Sequence, residues 1–280
     1  MIISTTINIT VIFIYNFLNY DYDNLEVKKF KGILNIIALL VISLPFFKNK
    51  KILYLPALIL IPSLLYSNSN APFLGVCCGI FFCFILYLSL TLNISKKKIG
   101  TLFILASVFV AYKIFEYLPD KFDDNSIQSQ KFTISEKIID VHRQFIWGFS
   151  LSKIIEKPFT GHGPDSSNFI DGSQKKINHE LTGTMPFIPS HPHNFFIELL
   201  LDTGVFGTLF FFLFIFFLNL EIFKNANLYQ KYFLIFFNGY FWGSSLVNFS
   251  FWLGWWQGSY FFLLSLIAVK IYQFKNMKSD

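Results

Sequence analysis

Along the chain, apolar residues gather in runs of about 16 to 25, the length a helix needs to cross a hydrocarbon core of roughly 30 Å, and polar residues collect between them. These runs lie near 2–19, 32–47, 52–66, 73–94, 100–118, 204–222, 231–250 and 254–274. The third is short and carries Pro56 and Pro62, and the first contains Asn8 and Asn16. The pattern predicts an all-α, polytopic membrane protein of about eight transmembrane helices. Five spans fall in 1–118, three in 204–280, and one long segment, 119–203, separates spans five and six. Composition agrees: 54% of residues are apolar, 14% are charged, and 38 of 280 are Phe, which excludes an ordinary soluble domain.

The formal charge of +6 does not mark a nucleic-acid binder, because the lysines stand in short runs between apolar segments and on no single face. Lys48, Lys50 and Lys51 follow the second run, Lys96 to Lys98 the fourth, Lys224 and Lys231 flank the gap after the sixth, and Lys275 and Lys278 follow the eighth. Every second loop is basic, which places both termini in the cytoplasm and 119–203 outside. Cys77, Cys78 and Cys83 fall inside one apolar run and read as small lipid-compatible residues. The N-terminus has neither a basic leader nor a small-residue cleavage site, so the first run is expected to stay as an anchor.

Segment 119–203 has internal order. TISE at 133–136 is a capping-box pattern, and helical spacing of Ile138, Ile139, Ile146, Ile154 and Ile155 predicts an amphipathic helix ending before Pro158, lying on the membrane surface. In PFTGHG the glycines Gly161 and Gly163, with Pro164 after them, force a turn. A second helix is expected from about Pro192 to Gly204. The stretch HPHNFF at 191–196 puts two imidazoles, which titrate near neutral pH, where a lipid-facing helix would favour aromatic or long basic anchors.

These residues carry a resemblance. RQFIW from Arg143, then Pro158, Gly161 and Gly163 in PFTGHG, then a polar insert, then His193 and Asn194 followed by Glu198, Gly204 and Gly207, resembles the O-antigen ligase and O-antigen polymerase family over about 67–250. In that family about nine spans precede the loop, whereas five do here, so the chain resembles a shortened member with unchanged topology parity. The resemblance implies an enzyme of the bacterial inner membrane with its active loop in the periplasm. It would transfer a glycan from undecaprenyl pyrophosphate to a hydroxyl of lipid A core, or, as a polymerase, of another O-unit.

By resemblance, Arg143 is the pyrophosphate ligand and His193 the catalytic base. A guanidinium holds a dianionic diphosphate in bidentate fashion at any physiological pH, and an imidazole can take the acceptor's proton. His191 is the alternative base, while His142 and His162 read as solvated or structural. Asn194 either holds the loop or orients the histidine, Glu198 either orients it or caps a backbone group, and Gly161 and Gly163 shape the donor site; Asp202 reads as structural. Family members commonly carry a Ser-Arg pair opening the span at 73–94; here the sequence reads SNSNAPFLG, with Asn70 in the arginine's place. Lys113 could supply the missing charge, or pair with Glu116 at i+3.

No cofactor is expected. A rival, metal-dependent glycosyltransferase would use Asp21 and Asp23, or Asp123 and Asp124, to hold a divalent cation against a lipid phosphate. A transporter or channel component would need polar residues lining the membrane, of which Asn238, Ser244, Ser245 and Asn248 are the main ones. Trp252, Trp255 and Trp256 read as an interfacial belt.

Overall fold

A computed structural model describes residues 31–46, 70–92, 96–122, 132–136, 139–180 and 182–276. Helix dominates. The elements are α1 (Lys31–Ser43), continued by a 3-10 turn at Leu44–Phe46, α2 (Asn70–Thr91), α3 (Lys96–Glu116), α4 (Val141–Glu156), β1 (Lys176–His179), β2 (Gly183–Pro186), α5 (Phe195–Asn225), α6 (Leu228–Ser245) and α7 (Gly254–Asn276). Except for α4 and the strands, each falls on one of the apolar runs. The runs at 2–19 and 52–66 lie outside the described residues, as do Asp21, Asp23, Asp123, Asp124 and the lysines of 48–51. By length and composition, the helices over Ala71–Thr91 and Phe195–Asn225 could each cross a membrane.

At 31 residues α5 would extend about 46 Å if straight, longer than a hydrocarbon core. It is not one rod. Gly204 breaks it with φ 64 and ψ −171, leaving 205–225 as the piece of membrane-spanning length.

The chain divides into two compact units. The first gathers α1, α2 as far as Tyr87, α5 from Phe217 on, α6 and α7. In it, glycines bring α2 and α6 together: a Cβ on Gly239 would stand 2.7 Å from the Cα of Gly79, and one on Gly243 2.8 Å from the Cβ of Cys78. Such close approach is how helices associate where no water remains to drive them together. A closed ring of hydrogen bonds links α5, α6 and α7. Asn238 Nδ2 donates to Asn219 Oδ1 (2.8 Å), Asn219 Nδ2 to Tyr260 Oη (2.9 Å), and Tyr260 Oη to Asn238 Oδ1 (2.8 Å). Ser244 Oγ donates to the Ala71 carbonyl and Ser245 Oγ to that of Phe241. The asparagines and Ser244 are thus engaged in holding helices together, while the Ser245 bond stays within α6. Trp256 is fully buried and donates to Ser245 Oγ, so it belongs to the core of this unit and not to an interfacial belt.

The second unit runs from Leu88 to Phe216 and takes in Asn248–Trp252. Its centre is α4, which buries Val141, Phe145, Ile146, Trp147, Phe149 and Ile154. A helix expected to lie on a surface is therefore a core helix, with Phe149 stacked on Phe187 at 4.8 Å and Phe122 edge-on to both. It also starts later than the capping box at Thr133 suggests. Asp140 is the N-cap, accepting from Arg143 N at 2.9 Å, while Gln144 Nε2 donates to the carbonyls of Ile134 and Ile139 ahead of the helix. The all-α expectation is also amended by the antiparallel hairpin β1–β2, paired from Lys176↔Pro186 to His179↔Gly183. Four-residue strands with one buried residue, Ile177, show too little alternation to be read from the sequence.

Candidate functional site

Arg143 lies in the first turn of α4, and Asp140 grips it twice. One carboxylate oxygen caps the Arg143 N–H, and the other pairs with Nη1 at 2.9 Å. The guanidinium keeps about a quarter of its side chain exposed, at 26%. One turn on, Trp147 Nε1 donates to the Pro192 carbonyl at 2.9 Å, in a buried bond that fastens the HPHN stretch to α4. This bond brings the two halves of the sequence motif, 45 residues apart, to one place.

His193 follows with φ 53, a left-handed conformation uncommon for a residue with a side chain. Its ring lies 4.1 Å from that of His191, centroid to centroid. His191 is itself held by Ser190 Oγ (2.9 Å) and the Asn248 carbonyl (3.4 Å). Burial first, then the proximity of His191, Arg143 and His142, pull the His193 imidazole down to about 4. Burial lowers His191 and His142 as well, and Arg143 adds to the effect on His142. His193 Nδ1 and His142 Nε2 are buried without a hydrogen-bond partner among the described residues. A neutral imidazole with an unengaged nitrogen, beside a guanidinium, is a constellation that can accept a proton next to a bound anion. His142, expected to be solvated or structural, is half-buried and contributes to the lowering of His193. His162 does not: its Nε2 meets the Lys153 carbonyl at 2.8 Å.

Asn194 caps α5, its Oδ1 accepting from Phe196 N (3.0 Å) and Ile197 N (3.2 Å), so of its two expected roles the geometry displays the holding one. Glu198 is buried and accepts from Ser250 Oγ (2.7 Å) and Phe251 N (2.6 Å). Both bonds favour the carboxylate, but burial outweighs them and raises Glu198 to about 7. Asp202 accepts from Trp252 Nε1 (2.7 Å), Ser167 Oγ (2.9 Å) and Ser166 Oγ (3.3 Å), and burial raises it too. Both acids precede the Gly204 break. They staple Ser250–Trp252 to this unit, a partnership across about 50 residues that leaves no local signature in the sequence; Trp252 looks like a belt residue there.

The glycines of PFTGHG have a definite task. At Gly204 the helix sheds hydrogen bonds, and the turn at 158–163 takes them up. The Leu201 and Asp202 carbonyls accept from His162 N and Gly163 N (both 2.9 Å), while Val205 N and Phe206 N donate to the Pro158 (2.9 Å) and Phe159 (3.3 Å) carbonyls. Both Gly161 and Gly204 have positive φ, and a Cβ on Gly161 would strike the Asp202 backbone while one on Gly204 would strike that of Phe159. Lys113 pairs with Glu116 at 2.7 Å in an exposed contact. Asn70 opens α2, and its side chain lies outside the described residues.

Helices able to cross a membrane, together with a buried imidazole and arginine constellation on a packed unit between them in sequence, define a membrane-associated protein with a built polar site. The chain belongs to the O-antigen ligase family, whose profile matches residues 55–212. A Rickettsia typhi protein provisionally named a polysaccharide ligase is 28% identical over 80% of this chain and 52% of its own length. A similarly named Rickettsia prowazekii protein is 29% identical over 80% and 52%, and one from Rickettsia conorii 32% identical over 46% and 32%. The chain thus spans about half the length of the curated relatives it matches over most of its own length. No solved structure matches it.

Proposed function

We propose that this protein transfers a glycan from undecaprenyl pyrophosphate to a sugar hydroxyl of lipid A core at the outer face of the bacterial inner membrane. The observation that carries the reading is the bond from Trp147 to Pro192, which ties the HPHN stretch bearing His193 to the helix that bears Arg143. Arg143 binds the diphosphate. The acceptor oxygen bonds to the anomeric carbon as the bond from that carbon to the diphosphate oxygen breaks. The bonding pair leaves with the diphosphate, and the hydroxyl proton passes to the imidazole of His193. A base near 4 is weak against a hydroxyl, but a bound diphosphate offsets the positive charge of Arg143 and so lifts the imidazole. Substrate thereby activates the base.

About eight spans, five before and three after the loop at 119–203, with both termini cytoplasmic and the loop periplasmic, place this pocket where a lipid-linked donor and an extracytoplasmic acceptor meet. Gly161, Gly163, Asn194 and Glu198 hold the segments that carry Arg143 and His193. No metal ion takes part, since Arg143 provides the permanent positive charge. Ligation is favoured over polymerisation because the relatives are named as polysaccharide ligases. The deciding measurement is lipopolysaccharide from a deletion strain. Loss of long-chain material, with undecaprenyl-linked polymer accumulating, is the expected result. A core bearing a single unit would make it a polymerase, and unchanged lipopolysaccharide would overturn the reading.

A further inference from the structure

The turn that repairs the Gly204 break has a consequence for where the second unit sits in a bilayer. Val205 N and Phe206 N donate to the Pro158 and Phe159 carbonyls, so the turn at 158–160 is bonded directly to the first residues of the span-length piece of α5. The side chains follow. The Phe159 ring lies against that of Phe206 at 5.7 Å and 30°. Neither ring is covered by protein: Phe159 is 60% exposed and Phe206 54%. Ile155, in the last turn of α4, is 77% exposed. From Phe206 the exposed apolar surface continues along α5 through Leu209, Phe210 and Phe214.

Two rings in contact, on backbones joined by hydrogen bonds, share one solvent. If 205–225 crosses the membrane, Phe206 stands at its entry and Phe159 stands beside it. We infer that the Pro158–Thr160 turn, with Phe159 and Ile155, is a lipid-contacting anchor that dips into the leaflet on the loop's side of the membrane. Its partner is the boundary between headgroups and acyl chains, where aromatic rings are favoured. A backbone turn can approach that depth because the Pro158 and Phe159 carbonyls are already engaged by Val205 N and Phe206 N of the broken helix. The inference deepens the proposed function, since it ties the unit that carries Arg143 and His193 to the membrane surface, and it rests on the membrane reading of α5 alone.

The test is site-directed spin labelling of the 280-residue chain in lipid nanodiscs, with Cys77, Cys78 and Cys83 replaced by Ala and single cysteines placed in turn at Phe159, Ile155, Phe206 and Asp171. Collision with dissolved oxygen, which partitions into lipid, is compared with collision with a water-soluble nickel chelate. Labels at 159 and 155 should match 206, with oxygen collisions severalfold above nickel, and 171 should show the reverse. If 159 and 155 behave like 171 while 206 reads lipid, the anchor is refuted. Labels at 159 and 155 shielded from both reagents mean that protein covers the turn, which refutes it equally. The Ile155 position keeps the Phe159 contact intact and decides the matter if the 159 variant misfolds. An aqueous reading at 206 itself would instead overturn the membrane assignment of α5, on which the proposed function also depends.

Discussion

At the scale of single residues, the pocket sets opposing demands on its charges. His193, near 4, is neutral throughout the physiological range, so kcat/KM for donor should keep its acid limb near pH 4, whereas the limb in kcat should lie higher because bound diphosphate offsets Arg143. A pH profile of detergent-purified protein checks this, and identical limbs near 6.5 in both parameters would remove His193 as the base. His193→Ala should cost about a hundredfold to ten-thousandfold in transfer, far more than His191→Ala at equal abundance. Asp140 offers a second test, since it both caps α4 and pairs with the guanidinium proposed to bind the donor. Asn caps as well as Asp does, so Asp140→Asn should leave abundance unchanged. It also removes a negative charge beside the diphosphate, and donor KM should fall, by up to about fivefold for an exposed pair of this kind. An unchanged donor KM in this variant would show that Asp140 is only a cap.

Among elements, the broken helix α5 and the turn at 158–163 stand or fall together. Gly204→Ala must place a Cβ against the Phe159 carbonyl while holding a positive φ. Strain of about 1–3 kcal/mol from the backbone and about as much from overpacking should lower the thermal midpoint and the yield of monodisperse protein. Gly163→Ala, also at positive φ but with nothing near its Cβ, should be milder. Equal stability of all three proteins would mean that the break is not held as described. How legible these elements were follows from the range of each signal. Apolar runs marked α2, α3, α5, α6 and α7, because a long apolar helix writes itself in consecutive residues. The motif also marked Arg143 and His193. It could not say that Gly161 serves the helix break, that Asp140 displaces Thr133 as the cap, or that Glu198 and Asp202 hold Ser250 and Trp252. Those outcomes depend on partners tens of residues away, or on competition between two plausible caps.

For the whole molecule, topology is the property on which the proposed chemistry depends, and the hairpin offers a reporter for it. An epitope inserted in the β1–β2 turn at 180–182 should be reached by antibody in intact spheroplasts, with a C-terminal epitope detected only after permeabilisation. Detection of the hairpin tag only after permeabilisation would place the loop in the cytoplasm and end the periplasmic assignment. EDTA should leave transfer unaffected, and activity restored by manganese after chelation would return the metal-dependent alternative.

That hairpin also sets how freely this segment can vary in length. Its base is closed by Phe187 N to the Lys175 carbonyl and Ile188 N to the Ser173 carbonyl, with Gln174 Nε2 bonded to the Ile188 carbonyl. Residues added at the tip lengthen a loop whose ends are already tied, and each doubling of such a loop costs only about 0.6 kcal/mol in closure entropy. The tip is therefore a graft point, where a longer or differently charged finger could be exchanged to suit a new acceptor glycan while the chemistry behind it stays in register.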